Sequence, residues 1–141
     1  MVVTPDEVHK ELTIDAPRDR VWRALTEPDQ LLRWFPTVRA DVDLRPDGEL
    51  RFEWEESADE GVIDVVEPPT RLVFRWRPAG LDRPFTTVSI TLDDDGAGTR
   101  VVLVERGFAS LADQIKQQSW QGNDLGWTEE LEAFRAYLEA S

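Results

Sequence analysis

The strongest constraint on this chain lies near its end, at residues 124–140, where Trp127, Leu131, Phe134 and Leu138 recur at i, i+4, i+7 and i+11. That spacing is the apolar stripe of an amphipathic helix. Glu129, Glu130, Glu132, Arg135 and Glu139 fall on the other side, so the helix has one wet face and one long apolar face that the rest of the chain must cover. With 141 residues, residues 1–141 are expected to form a single domain large enough to bury a core without disulfides or metals.

Upstream, residues 7–14 alternate, with Val8, Leu12 and Ile14 on one side and His9, Glu11 and Thr13 on the other, which predicts a first strand. Ala16-Pro17 opens a short helix with Val21, Trp22 and Leu25 inside. Pro28 starts another, carrying Leu31, Leu32, Trp34 and Phe35, and Pro36 closes it.

From Val38 the period becomes two. Val38, Ala40 and Val42 oppose Arg39, Asp41 and Asp43, and the turn Arg45-Pro46-Asp47-Gly48 leads into a strand with Leu50, Phe52 and Trp54 on one face. Residues 56–60 read as a polar loop and 61–66 as a strand with Ile63 and Val65 inward. Pro68-Pro69-Thr70 turns the chain into 71–77, where Leu72, Phe74 and Trp76 face in. Val88, Ile90 and Leu92 then alternate with polar neighbours, and 99–106 forms the last strand, whose parity places Val101, Leu103 and Glu105 inward. Gly107 ends it, Ser110 is positioned to cap a helical stretch with Leu111 and Ile115, and Gly122-Asn123-Asp124 offers a break before the final helix.

Strict alternation means a sheet with one face buried and one in water. The expected fold is therefore α+β: a seven-stranded antiparallel sheet curled around a long C-terminal helix, with two short helices between strands 1 and 2.

Composition narrows the function. A net charge of -13 disfavours phosphate backbones and anionic lipid, so neither nucleic acid nor membrane insertion is expected. No stretch approaches the roughly 18 apolar residues of a membrane span, and no signal peptide precedes the first strand, which reads as a soluble, unprocessed chain. The absence of cysteine excludes thiol chemistry and fits a cytoplasmic location. One histidine and no cysteine leave no ligand set for a first-row metal, and neither a nucleophile with its base nor a phosphate-binding loop is present, so no cofactor, metal or catalytic residue is expected.

Asp15-Ala16-Pro17 with Val21-Trp22, then Trp34-Phe35, Arg45-Pro46-Asp47-Gly48, the run from Pro68-Pro69-Thr70 to Trp76, Gly98-Thr99-Arg100-Val101, Gly107-Phe108 and Gly126-Trp127 resemble the heat-shock-protein-90 ATPase activator-like family. That family belongs to the START-like, or SRPBCC, superfamily with its helix-grip fold. The resemblance runs from about Glu7 to Leu138. It implies a deep, largely apolar cavity between sheet and C-terminal helix, used in the superfamily for lipids, sterols, hormones or polyketides.

Six tryptophans make either an unusually aromatic core or the walls of a pocket. Trp34, Phe52, Trp54, Phe74, Trp76 and Trp127, with Leu131, are the candidate lining. Glu105 is the candidate polar group, able to orient a ligand or act as a base unless the strand turns it to water or Arg106 pairs with it. The function expected first is binding of a small hydrophobic molecule such as a lipid, sterol or aromatic polyketide. The alternatives are a cyclase- or hydrolase-like enzyme using the same cavity and a chaperone-associated interaction domain. A homodimer and a chaperone partner are left open.

Overall fold

The computed structural model describes residues 4–140; residues 1–3 and 141 of the expected domain lie outside the described residues. In chain order it contains β1 (Glu7–Ile14), α1 (Arg18–Thr26), α2 (Pro28–Trp34), β2 (Arg39–Val42), β3 (Glu49–Glu53), β4 (Ala58–Glu67), β5 (Arg71–Pro78), β6 (Thr86–Asp95), β7 (Gly98–Arg106), a single 3-10 turn (Phe108–Ser110) and α3 (Asp113–Glu139). The seven strands form one antiparallel sheet in the order β1-β7-β6-β5-β4-β3-β2. This is the expected helix-grip arrangement, with the sheet curled around α3.

The two prolines act as anticipated at the short helices. Pro17 is the extended N-cap of α1, and Pro28 occupies the first turn of α2, where its missing N–H has no helical partner to lose. Glu27 ends one helix and begins the other in a β conformation, which bends the pair. Trp22 and Trp34 are buried beneath them, and the Trp34 indole donates to the carbonyl of Ala24 at 2.8 Å.

Across the sheet, one face carries Val8, Ile14, Val101, Leu103, Val88, Ile90, Leu92, Leu72, Phe74, Ile63, Leu50 and Phe52 into a core closed by Trp127, Leu131, Phe134 and Leu138 of α3. The helix is tied along β1 at both ends: Lys10 pairs with Asp124 at 2.8 Å, Trp120 donates to the carbonyl of Glu7, and Glu139 accepts the N–H of Asp15. At the β2–β3 turn Asp47 takes a left-handed φ of 65°, and a Cβ on Gly48 would collide with the Asp43 carbonyl oxygen, so only glycine closes it.

Several expectations need correction. Val38 precedes β2 and is 61% exposed rather than inward. The supposed loop 56–60 is shorter, because β4 already pairs with β3 from Ala58, which brings Asp59 and Glu60 into the sheet. A bulge between Ile63 and Val65 shifts the parity of β4, so Val66 rather than Val65 packs on the core, opposite Leu72. Ser110 caps no helix; it ends the 3-10 turn that follows Gly107, whose φ is 109°. Most consequentially, Gly122 breaks nothing. α3 runs unbroken for 27 residues through both Gly122 and Gly126.

Candidate functional site

Glu105 faces inward from β7, opposite Val8 of β1 and Val88 of β6, and is 0% exposed. Neither alternative for it holds, because Arg106 turns outward to Glu7 at 2.8 Å. Four neutral side chains satisfy its carboxylate. Oε1 accepts from Trp127 Nε1 at 2.8 Å and Asn123 Nδ2 at 3.0 Å; Oε2 accepts from Trp76 Nε1 at 2.9 Å, Thr86 Oγ1 at 2.5 Å and Asn123 Nδ2 at 3.0 Å. Taking a carboxylate out of water costs several kcal/mol, and hydrogen bonds to a charged acceptor are the strong kind that offset it. The result is a clasp joining β5, β6, β7 and α3, in which the Trp76 and Trp127 rings stack with centroids 5.6 Å apart. A carboxylate so fully occupied is poorly placed to serve as a base.

Above this clasp lies a pocket of about 280 Å³. Trp54, Trp76 and Trp127 supply aromatic wall; Asp59 of β4, Arg77 of β5, Arg83 of the β5–β6 loop and Glu130 of α3 supply charge; Phe108 and Leu111 close one side. The helical wall is Ser119, Gly122, Asn123, Gly126, Trp127 and Glu130, at i, i+3, i+4, i+7, i+8 and i+11, hence one stripe of the continuous helix. Two of those positions are glycines. A Cβ at Gly122 would meet nothing within 4 Å, and one at Gly126 would meet only Glu130 Oε1 at 3.9 Å, so the helix is bare where it borders the pocket.

The charged groups differ in how far the protein satisfies them. Asp59 Oδ2 accepts the Trp54 indole N–H at 2.7 Å. Burial pushes the Asp59 carboxyl above its ordinary value and the Glu105 charge adds to this, while the Trp54 hydrogen bond and Arg83 work against it. Arg77 pairs with Glu60 and donates to the carbonyl of Arg83. Arg83 reaches Ser119 Oγ at 3.4 Å, and its Nε is buried without an acceptor. Glu130 accepts no hydrogen bond and joins no ion pair among the described residues; burial first, then the charges of Glu129, Asp59 and Glu105, push it up to about 8. No group of three or more His, Cys, Asp or Glu side chains among the described residues is arranged to hold a metal ion.

The expected lining residues are thus divided. Trp54, Trp76 and Trp127 reach the pocket, with Glu105 sealed beneath it. Trp34, Phe52 and Phe74, with one side of Trp127, surround a separate apolar space of only about 40 Å³, and Leu131 is buried in the core and borders neither. Phe35 links the groups, edge-on to Phe52 and Trp54 and stacked on Trp127. Instead of one deep apolar cavity, the structure has a mixed polar and aromatic pocket beside a nearly filled core. Sequence reading missed Asp59, Asn123 and Glu130. Glu130 was assigned to the wet face, although it stands one turn beyond Trp127.

The architecture agrees with what the chain resembles. Residues 15–139 match the family described as Activator of Hsp90 ATPase homolog 1-like protein. The chain belongs to that family. Among solved structures, this family member is similar to DynU16, a protein of the dynemicin biosynthetic locus, at 25% identity and a TM-score of 0.81, over 96% of this chain and 48% of that one. The chain therefore spans about half the length of DynU16. It is similar to CalU16 from Micromonospora echinospora at 28% identity and a TM-score of 0.74, over 94% of this chain and 75% of that one. The Aha1 dimer from Colwellia psychrerythraea shares the fold at 18% identity and a TM-score of 0.78, over 94% of this chain and 96% of that one. No curated protein matches the sequence. No helix among the described residues is long and apolar enough to cross a membrane.

Proposed function

We propose that this family member binds a small, ring-bearing hydrophobic molecule in the pocket between α3 and the β4–β6 end of the sheet. The observation that carries the reading is the glycine-bare stripe of α3, which ends at Trp127 and encloses about 280 Å³ together with Trp54 and Trp76 of the sheet side. Glycine in a helix interior costs about 1 kcal/mol relative to alanine, so two of them at the pocket wall trade helix stability for room. The volume lies near the lower end of the roughly 300–1,000 Å³ typical of ligand pockets, which suits one or two rings better than a long acyl chain. Similarity to DynU16, of the dynemicin biosynthetic locus, points the same way. The proposal takes residues 1–141 as one domain in a cytoplasmic setting; a homodimer and a chaperone contact are not part of it.

A second reading, a cyclase-like enzyme, is favoured by one observation: Glu130, a pocket carboxyl held close to neutrality, has the character of a proton-transfer group. Titration with naphthalene- and indole-based compounds, followed by intrinsic fluorescence and melting temperature, tests both. Saturable binding with the compound recovered unchanged is expected, and Gly122→Leu, which fills the pocket from a position with open space around it, should abolish binding without unfolding the chain. Binding that survives Gly122→Leu would place the site elsewhere; chemical conversion of the compound would favour the enzyme.

A further inference from the structure

The polar groups of the pocket wall leave a one-sided set of unmet demands. Glu105 is saturated by its four donors, and Asp59 Oδ2 is occupied by Trp54. What remains among the described residues is Asp59 Oδ1 and the whole Glu130 carboxyl, all acceptors once ionised. Against Asp59, Glu105 and Glu130 stands Arg83, since Arg77 is engaged by Glu60. The remaining wall includes Trp54, Trp76 and Trp127, a residue type whose ring faces attract cations. A metal ion does not fit, since no third ligand stands in the right arrangement among the described residues.

We propose that the molecule bound in this pocket is a ring-bearing organic cation, an arylalkylamine in class, with its ammonium on Glu130 and Asp59 Oδ1 and its ring against Trp54 and Trp127. This rests on the binding function proposed above and specifies its ligand. Three N–H donors of an ammonium meet the acceptors the protein leaves open. The acidic chain, with a net charge of -13, draws cations toward the site. The groups facing Glu130 are Asp59 from β4, Glu105 from β7, Arg77 and Arg83 from β5 and the loop after it, and Glu129 from its own helix.

A cation seated on Glu130 requires that carboxyl to be ionised, and in the empty pocket it holds its proton up to about pH 8. Binding therefore releases a proton, and affinity rises with pH. The test is calorimetric titration of the full chain with naphthylmethylamine and with its neutral counterpart naphthylmethanol across pH 6 to 9. The amine is benzylic, which places its pKa about one unit below that of lysine, so it stays mostly charged up to about pH 8 and the comparison is read below that point. It should bind at least about tenfold more tightly than the alcohol near pH 8, with affinity growing by up to about tenfold per pH unit below that point. The heat of binding should vary with the ionisation enthalpy of the buffer. Glu130→Gln should remove the amine's advantage over the alcohol and its pH slope, and the wild-type pH profile stands as evidence without the variant. Equal binding of amine and alcohol overturns this proposal and leaves the binding function intact. Affinity that falls as pH rises through 8 overturns it too, since Glu130 would then be donating a hydrogen bond rather than holding a charge. If neither compound binds, the function proposed above falls with it.

Discussion

Replacing Glu105 by glutamine changes one oxygen to a nitrogen, and the clasp is built so that this single atom matters. Oε1 serves Trp127 and Asn123, and Oε2 serves Trp76, Thr86 and Asn123, so each oxygen holds one indole N–H. An indole is a donor only. Whichever way the amide is turned, its NH₂ group faces one indole N–H, while the Thr86 hydroxyl can rotate to accept. One buried donor is left without a partner, at about 1–3 kcal/mol, and the surviving hydrogen bonds lose their charge assistance. The opposing gain is that a neutral side chain needs no carboxylate desolvation. The expected net loss is about 1–3 kcal/mol, or roughly 4–10 °C in melting temperature for a domain of this size. Urea unfolding followed by tryptophan fluorescence measures it. The mechanism has a second signature: Trp76→Phe should cost less in the Glu105→Gln background than in the wild type, because there it removes an unpaired N–H rather than a hydrogen bond. A glutamine variant as stable as the parent, or a double-mutant cycle with no coupling, would refute the clasp as the organising contact.

Two further outcomes follow from α3. Gly122→Ala and Gly126→Ala should each stabilise the chain by up to about 1 kcal/mol in urea unfolding, since a Cβ meets open space at the first and ordinary contact at the second, while weakening ligand binding by narrowing the pocket. Stabilisation without any loss of binding would dissociate these glycines from the site. Glu130 makes stability depend on pH: a carboxyl whose pKa rises from an ordinary 4.5 to about 8 on folding binds more protons when folded between those values. Stability from this group is therefore complete below about 4.5, declines as pH climbs through 8 and is level beyond, by a few kcal/mol at most. Glu130→Gln should flatten that part of the pH profile in thermal unfolding, and an unchanged slope would assign it to other groups.

What was legible in the sequence follows from what has a period. Leu50 and Phe52, Leu72 to Trp76, Val88 to Leu92 and Val101 to Glu105 alternate because one face of the sheet is wet. Even the inward Glu105 could be read from parity alone, though not the donors around it, which come from elements distant in sequence. The bulge in β4 was invisible, because Val62, Ile63, Val65 and Val66 are apolar in both registers, and only pairing with Leu72 and Phe74 decides which pair faces in.

The continuity of α3 through Gly122 was hidden for a different reason. Downstream of Trp127 the helix faces a packed core and shows a large apolar residue at each inward position. Upstream it faces the pocket, and the same stripe continues as Ser119, Gly122, Asn123 and Gly126, residues that read as a turn when judged by propensity. A packed interface selects bulk, whereas a cavity wall selects its absence, so the hydrophobic period ends where the pocket begins although the helix does not. The acids follow the same logic: Glu130 lies at the junction, one turn past Trp127, where the stripe leaves the core and borders the cavity. In this helix the clear apolar stripe gives way to small and polar residues in the same phase at the edge of the pocket, and that point falls on the two residues, Trp127 and Glu130, that join the core to the pocket.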